Sequence, residues 1–195
     1  MANRKKIVIK KNANEIRKTS RAVSIKNPKV HPEPKSRQKP KRKHLKLTVD
    51  LVPQPQWYKN LRKQLRPGVW DKLRKQVYAQ AKGKCNICGG AGMLNCHEKW
   101  EFDEKTFTQR LVGLEAVCKP CHLVTHLGMS AILADKGVLD FKQVVLHFIK
   151  VNQASRRECE EHFEEAEIIW KKRSKFNWTM DYGQWASLIP PQPLD

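Results

Sequence analysis

The chain has 195 residues, enough for one domain of ordinary size with an appended tail, or for two small domains. Lys and Arg outnumber Asp and Glu by 39 to 19, and the net charge of +20 indicates a polyanionic partner, with nucleic acid favoured over an anionic membrane surface. No stretch reaches the run of about 18 apolar residues that a spanning helix needs, and the N-terminus lacks the apolar run of a secretory signal. We therefore expect a cytoplasmic protein with reduced cysteines and no contact with a membrane.

Residues 1–44 form a basic arm, in which sixteen Lys or Arg accompany two acidic residues and several prolines. Such a composition cannot bury a core, so we predict that the arm is disordered. It is either a solvated solubility tail or a segment that contacts phosphates within a larger nucleoprotein complex. The candidate nucleic-acid contacts in the arm are Lys39, Lys41, Arg42 and Lys43.

Order is predicted to begin in a region of strand and linker over residues 45–68. Apolar residues alternate with polar ones from Leu45 to Leu51, at the two-residue period of a half-buried strand, and prolines follow. A helix is predicted over residues 69–81, because apolar residues recur there at helical spacing and Gly83 supplies a stop.

Two C-x-x-C pairs follow that helix. Cys85 and Cys88 form the first, Cys118 and Cys121 form the second, and 29 residues separate them. In a reducing compartment this spacing indicates a metal site rather than disulfides. Because four thiolates suit tetrahedral zinc, we predict a structural Zn²⁺ that joins two loops.

Three histidines are not needed by that zinc ion. His122 and His126 are four residues apart on a predicted short helix that ends before Gly128, so their imidazoles share a face and can converge on one ion or one phosphate. His97 lies in a run that we interpret as a strand, whose neighbouring side chains point to the opposite face.

The succession of "CNICGG", "CHEKW" and "LVGLEAVCKPCHLVTH" resembles the HNH family of nucleases, in particular its bacterial and phage members with a four-cysteine zinc site. The resemblance covers residues 70–128 and implies a ββα-metal fold, in which a β-hairpin and a helix surround one divalent ion. It implies that His97 is the general base and that His122 and His126 hold a catalytic Mg²⁺, Mn²⁺ or Zn²⁺. The implied function is hydrolysis of phosphodiester bonds in DNA, with RNA as a possible substrate, in a bacterial cell or a phage-infected host.

The sequence departs from this family pattern at two positions. Cys96 stands where the family usually has an Asp or His metal ligand, so the further candidate ligand is either Cys96 or Glu98, which shares its strand face. The middle Asn of the family name is missing. Gly113 occupies roughly its position, and Gln109 is the nearby amide that could brace the loop carrying the base.

Beyond residue 128 the pattern predicts a helical extension over residues 129–195. It comprises a helix over residues 139–152 and another over residues 155–174, the second opened by Ser155 and Glu158 in capping-box register. "FNWTMDYGQW" alternates as a strand does, and we predict that it pairs with residues 45–51.

The predicted fold class is therefore α+β: a zinc-stapled ββα-metal domain over residues 69–128, flanking helices and a short terminal strand pair.

Two functions remain open. One is a metal-dependent HNH endonuclease. The other is a non-catalytic, zinc-stabilised nucleic-acid-binding protein that uses the same scaffold in a larger nucleoprotein or phage assembly. The three histidines favour the nuclease, because a binding module needs neither a base nor a second metal site. The oligomeric state is left open by the sequence.

Overall fold

A computed structural model describes residues 44–191, which form a mixed α+β fold with a small three-stranded sheet. The predicted basic arm lies outside the described residues apart from His44, and so do the candidate contacts Lys39, Lys41, Arg42 and Lys43. In the part of the chain that is described, no helix has the length and apolar character needed to cross a membrane.

A β-hairpin forms the centre of the fold. Strand β1 (Leu94–Asp103) pairs antiparallel with β2 (Thr108–Cys118). The turn begins at Asp103, whose carboxylate accepts a hydrogen bond from the backbone N–H of Lys105 at 2.9 Å. The register pairs His97 with Glu115 and shifts next to Lys99, where β2 carries one extra residue.

Helices cover the hairpin before and after it in the chain. The four-residue helix α1 (Leu61–Gln64) precedes α2 (Val69–Gln80), which contacts both strands and confirms the helix predicted over residues 69–81 to within one residue. Helix α3 (Lys119–Thr125) follows β2 without a loop, and α4 (Leu127–Asp135) comes next. The predicted helix does end before Gly128, because the backbone leaves the helical conformation at His126 (φ −93°, ψ 53°), but Gly128 is not its stop and lies inside α4.

Two longer helices complete the fold and confirm the predicted helical extension. Helix α5 (Phe141–Asn152) buries Val144 and Phe148, and α6 (Arg156–Arg173) begins with both hydrogen bonds of the capping box between Ser155 and Glu158. Helix α5 packs against α3 and α6. The core thus joins the C-terminal helices to the end of the hairpin. Its buried members are Leu47, Cys85, Val117, Cys121, Val124, Val144, Phe148, Ala154 and Cys159.

The predicted strand over residues 45–51 is wrong. Leu47 is fully buried, as the alternation predicted, but the backbone of this segment bonds to side chains of α5 and α6 instead of a neighbouring strand. The Asn152 side chain accepts from the N–H of Leu47 at 3.0 Å and donates to its carbonyl at 2.8 Å, and His162 Nε2 accepts from the N–H of Val49 at 3.0 Å. These side chains satisfy the backbone groups that a second strand would otherwise satisfy.

The predicted pairing of the C-terminal strand with residues 45–51 is wrong for the same reason. Strand β3 (Thr179–Asp181) instead pairs in parallel with residues 108–110 at the start of β2. Trp178, just before β3, is buried and packs edge-to-face on Phe102 at a centroid distance of 5.0 Å. A 3-10 helix (Gly183–Leu188) follows the strand.

Asp50 lies in the segment of residues 45–51 and carries a largely buried carboxyl. Its backbone N–H donates to the carbonyl of Thr125 at 2.9 Å. Burial raises the pKa of the Asp50 carboxyl to about 6. The positive charge of Arg173 lowers this pKa by a smaller amount, and the negative charge of Glu115 raises it by a smaller amount. The ordinary pKa of an Asp is about 3.9, so the folded state binds this proton more tightly than the unfolded state does. The contribution of Asp50 to stability is therefore lost as the pH rises from about 4 to about 6.

We expect Asp50→Asn to raise the melting temperature by several degrees at pH 7.5 and to change it little at pH 4. At pH 7.5 the wild type buries a charge at a cost of up to about 3 kcal/mol, whereas the amide is neutral. Thermal unfolding of both proteins at the two pH values checks this. A variant that is less stable than the wild type at pH 7.5 would show instead that the Asp50 charge is stabilising.

Candidate metal centres

The four cysteines of the C-x-x-C pairs form one cluster, as predicted. Cys85 and Cys88 lie between α2 and β1, Cys118 ends β2, and Cys121 lies in α3. Their sulfur atoms all lie within 4.8 Å of one another, and those of Cys88 and Cys118 are 3.7 Å apart. Four thiolates at this separation can hold one metal ion and are compatible with structural zinc.

Asn86, inside the first C-x-x-C pair, fixes this loop to the hairpin. Its backbone N–H donates to the carbonyl of Ala116 at 2.8 Å, and its side-chain oxygen accepts from the N–H of the same residue at 2.7 Å. Asn86 therefore satisfies both backbone groups of Ala116 on one edge of β2, two residues before Cys118. The N–H of Gly90 points at Cys88 Sγ at 3.4 Å, a contact typical of metal-binding cysteine turns.

His147 of α5 contacts the cluster and was missed by the sequence analysis. Its Nε2 lies 3.1 Å from Cys121 Sγ. No local pattern marks His147, because it is 26 residues away from Cys121 and lies in an ordinary amphipathic helix. A ring N–H donated to a metal-bound thiolate would fix the orientation of that ligand and tie α5 to the cluster.

We expect His147→Ala to speed metal release from the cysteine cluster by about 10-fold or more, because partners of metal ligands affect metal affinity on that scale. The rate of zinc transfer from the purified protein to a chromogenic chelator measures this. Gln143→Ala, one turn earlier on the same helix and exposed, is the matched control. Equal release rates from all three proteins would exclude the proposed effect of His147.

Three histidines form a second group, on the face of the hairpin that α3 covers. His97 is only 4% exposed and comes from the middle of β1, whereas His122 lies in α3 and His126 at the junction of α3 and α4. One ring nitrogen of each lies within 4.8 Å of the others. The ring centroids are 4.6–5.6 Å apart and the rings meet edge-to-face. The backbone N–H of His126 donates to the carbonyl of His122 at 3.0 Å, so the expected one-turn spacing of the two residues holds even though α3 ends there.

Burial keeps these three imidazoles neutral. It lowers the pKa of His97 to about 3, with further lowering by His126, His122 and Lys99, and that of His126 to about 4. Burial also lowers the pKa of His122. At neutral pH each ring therefore offers a lone pair, and no imidazolium charge repels a cation. Three neutral nitrogens can hold a divalent ion and leave other coordination positions open.

Cys96 and Glu98 do not join the histidine group, which corrects their prediction as metal ligands. Strand alternation turns both away from His97. The Glu98 carboxylate instead accepts the N–H groups of Leu61 and Arg62, at 3.1 and 3.2 Å, and so caps the start of α1. Burial, with a smaller contribution from the Glu98 charge, raises the pKa of the Cys96 thiol to about 11.

Gln109 is too far away to brace the loop that carries His97, so this prediction is also wrong. Gln109 lies opposite Phe102, five residues along β1 from His97, which corresponds to about 16 Å at 3.3 Å per residue. Gly113 lies opposite Lys99, two residues from His97, and offers no side chain to replace the missing Asn.

The comparisons with known proteins add no assignment. No known protein family, no curated protein and no solved structure matches the chain. The function is therefore argued from the cysteine cluster, the histidine group and the charge of the chain.

Proposed function

We propose that the protein is a metal-dependent endonuclease of the HNH type, which hydrolyses phosphodiester bonds in DNA. The observation that supports this most is the convergence of His97, His122 and His126 between a β-hairpin and the helix that directly follows it. This order of elements and this placement of histidines are what the resemblance to the HNH family implies. The net charge of +20 suits a polyphosphate substrate.

In this proposal the three histidines have different functions. His122 and His126 bind the divalent ion through ring nitrogens, and the ion, when bound, would polarise the scissile phosphate and stabilise the departing oxygen. His97 accepts the proton of the attacking water. Its burial keeps it in the unprotonated form that this requires, and the anionic phosphate beside it would stabilise the imidazolium that results.

We propose that the cysteine cluster binds structural zinc and thereby positions the histidines. Cys118 is the last residue of β2 and Cys121 directly precedes His122. A zinc ion bound to both cysteines would fix the angle between the hairpin and α3. That angle determines the distances from His97, on the hairpin, to the two histidines that follow Cys121.

The ligand set also predicts which metals support activity. In this proposal the metal ligands that residues 44–191 supply are the imidazoles of His122 and His126. Imidazole nitrogen prefers borderline ions such as Zn²⁺, whereas Mg²⁺ prefers oxygen ligands. Supercoiled plasmid incubated with the zinc-loaded protein should therefore be nicked or linearised with added Mn²⁺ or Zn²⁺ at lower metal concentrations than with Mg²⁺.

The second candidate function is non-catalytic nucleic-acid binding on the same scaffold. It is favoured by the absence of the family's oxygen ligand and of its Asn, since neither Glu98 nor Gln109 replaces them. No cleavage with any of the three metals, despite tight salt-dependent DNA binding, would establish this function and exclude the nuclease.

A further inference from the structure

The described part of the chain carries its excess of positive charge in one segment. From Lys59 to Lys84, through α1, α2 and the loop after α2, nine Lys or Arg accompany one acidic residue. The remainder of residues 44–191 is nearly neutral, with fourteen basic and fifteen acidic residues. This segment therefore accounts for the whole net charge of the described residues. We call it the α1–α2 surface.

The cations of the α1–α2 surface are available to a ligand. Among the described residues, Arg74 pairs with Asp71 at 2.7 Å, and the other eight make no ion pair with a carboxylate. Tyr58, at the edge of the surface, is 75% exposed, and the Lys63 ammonium lies 5.0 Å from the centre of its ring. The eight exposed cations are Lys59, Arg62, Lys63, Arg66, Lys72, Lys75, Lys82 and Lys84.

A cavity of about 270 Å³ opens beside these cations, between α2, β2 and the C-terminal 3-10 helix. Its polar lining consists of side-chain amides, and its apolar lining includes an indole. Gln76 and Gln80 are one turn apart on α2, with Lys72 one turn before them and Lys82 just after them. The lining residues are Leu73, Gln76, Val77, Gln80, Gly113, Leu114, Gln184 and Trp185.

We propose that the α1–α2 surface binds a single-stranded nucleic-acid segment and that the cavity takes one of its unpaired bases. The inference rests on the proposed function only for the class of ligand, a nucleic acid. The cavity lining shares no residue with the cysteine cluster or the histidine group.

The chemistry of the cavity fits a nucleobase. Each glutamine amide has both donors and acceptors, which match the mixed donor and acceptor edge of a base, and an indole provides a face for stacking. A volume of about 270 Å³ is at the lower end of ligand pockets and suits a single planar group. Lysines before and after the glutamines would neutralise the phosphates on either side of the bound base. A base inside a duplex would first have to be unpaired and unstacked, so a single strand should bind more tightly than a duplex.

Binding of the full-length protein to a fluorescein-labelled 20-nucleotide single strand and to the corresponding duplex tests this proposal. Fluorescence anisotropy is recorded without added divalent metal, so that the result does not depend on cleavage. We expect Gln76→Ala/Gln80→Ala and, separately, Trp185→Leu to weaken single-strand binding at least about five-fold and duplex binding less than two-fold. The glutamine substitutions retain the helix because Ala has the highest helix propensity.

A charge series with a matched control completes the test. Lys72→Gln/Lys75→Gln/Lys82→Gln should reduce the log–log salt slope of single-strand binding by about 2, since each phosphate contact contributes about 0.7. Lys136→Gln/Lys142→Gln/Lys150→Gln removes the same number of positive charges from exposed positions outside the α1–α2 surface. This control should change the salt slope by less than half as much as the first triple variant does. Unchanged affinities of the cavity variants, equal losses for strand and duplex, or equal slopes in the two lysine variants would each overturn the proposal. Loss of cleavage activity alone would not affect it.

Discussion

We expect His97→Ala to lower the rate of plasmid cleavage by about 10²–10⁴-fold, the range over which general bases contribute. The reason is that His97 is the buried imidazole of the histidine group and remains unprotonated at neutral pH. Adding more metal should not restore the rate, because the proton acceptor is missing. Rates of supercoil loss over a range of metal concentrations measure both effects.

His122→Ala is the matched comparison, because it removes a proposed metal ligand instead of the base. This variant should need a higher metal concentration for half-maximal activity and should regain part of its rate when metal is in excess. His44→Ala, an exposed histidine outside the group, serves as the control and should cleave like the wild type. If His97→Ala retains more than a tenth of the wild-type rate while the protein is folded, His97 is not the base.

The second large effect is expected at the cysteine cluster. Cys118→Ser should destabilise the domain by on the order of 10 kcal/mol, the free energy that structural zinc contributes in small zinc domains. Because whole domains are stable by only about 5–15 kcal/mol, the variant should lose most of its cooperative unfolding transition. Circular dichroism during thermal unfolding measures this, and stripping zinc from the wild type with a chelator should have the same effect.

Cys96→Ser is the control for this experiment, because Cys96 is a half-buried cysteine that the structure leaves outside both metal groups. It should unfold within a few degrees of the wild type, and so should His122→Ala. A Cys118→Ser protein that melts at the wild-type temperature would show that the cluster holds no stabilising metal. Loss of activity without loss of folding in that variant would assign the cysteines to catalysis instead.

The features that the sequence predicted correctly depend on residues close together in the chain. Helix α2 follows from the spacing of its apolar residues, and α6 from the capping box of Ser155 and Glu158. The cysteine cluster follows from the chemistry of thiolates, which have few other reasons to occur in two C-x-x-C pairs. The convergence of His122 and His126 follows from helical geometry, and that of His97 from the resemblance to a known arrangement.

The features that the sequence did not predict depend on partners far away in the chain. The alternation from Leu45 to Leu51 correctly predicted that the Leu47 side chain is buried, but it carries no information on whether the backbone bonds to a strand or to the side chain of Asn152. The alternation also placed Glu98 on the face opposite His97, yet only the position of α1 shows that its carboxylate is used as a cap. Similarly, nothing near His147 indicates that it contacts Cys121.

The parallel pairing of β3 with β2 has a consequence for the order in which the chain folds on the ribosome. A parallel partner requires a long connection, here about 60 residues, so the strand that covers the start of β2 is synthesised well after β2 itself. Until residues 179–181 emerge, the edge of β2 at residues 108–110 has unpaired N–H and C=O groups that another nascent chain can pair with. A chain terminated prematurely after α6 would retain every metal ligand and still be prone to aggregation. Residues 179–181 therefore cover a strand edge at which copies of the chain could otherwise pair, a role separate from either metal group.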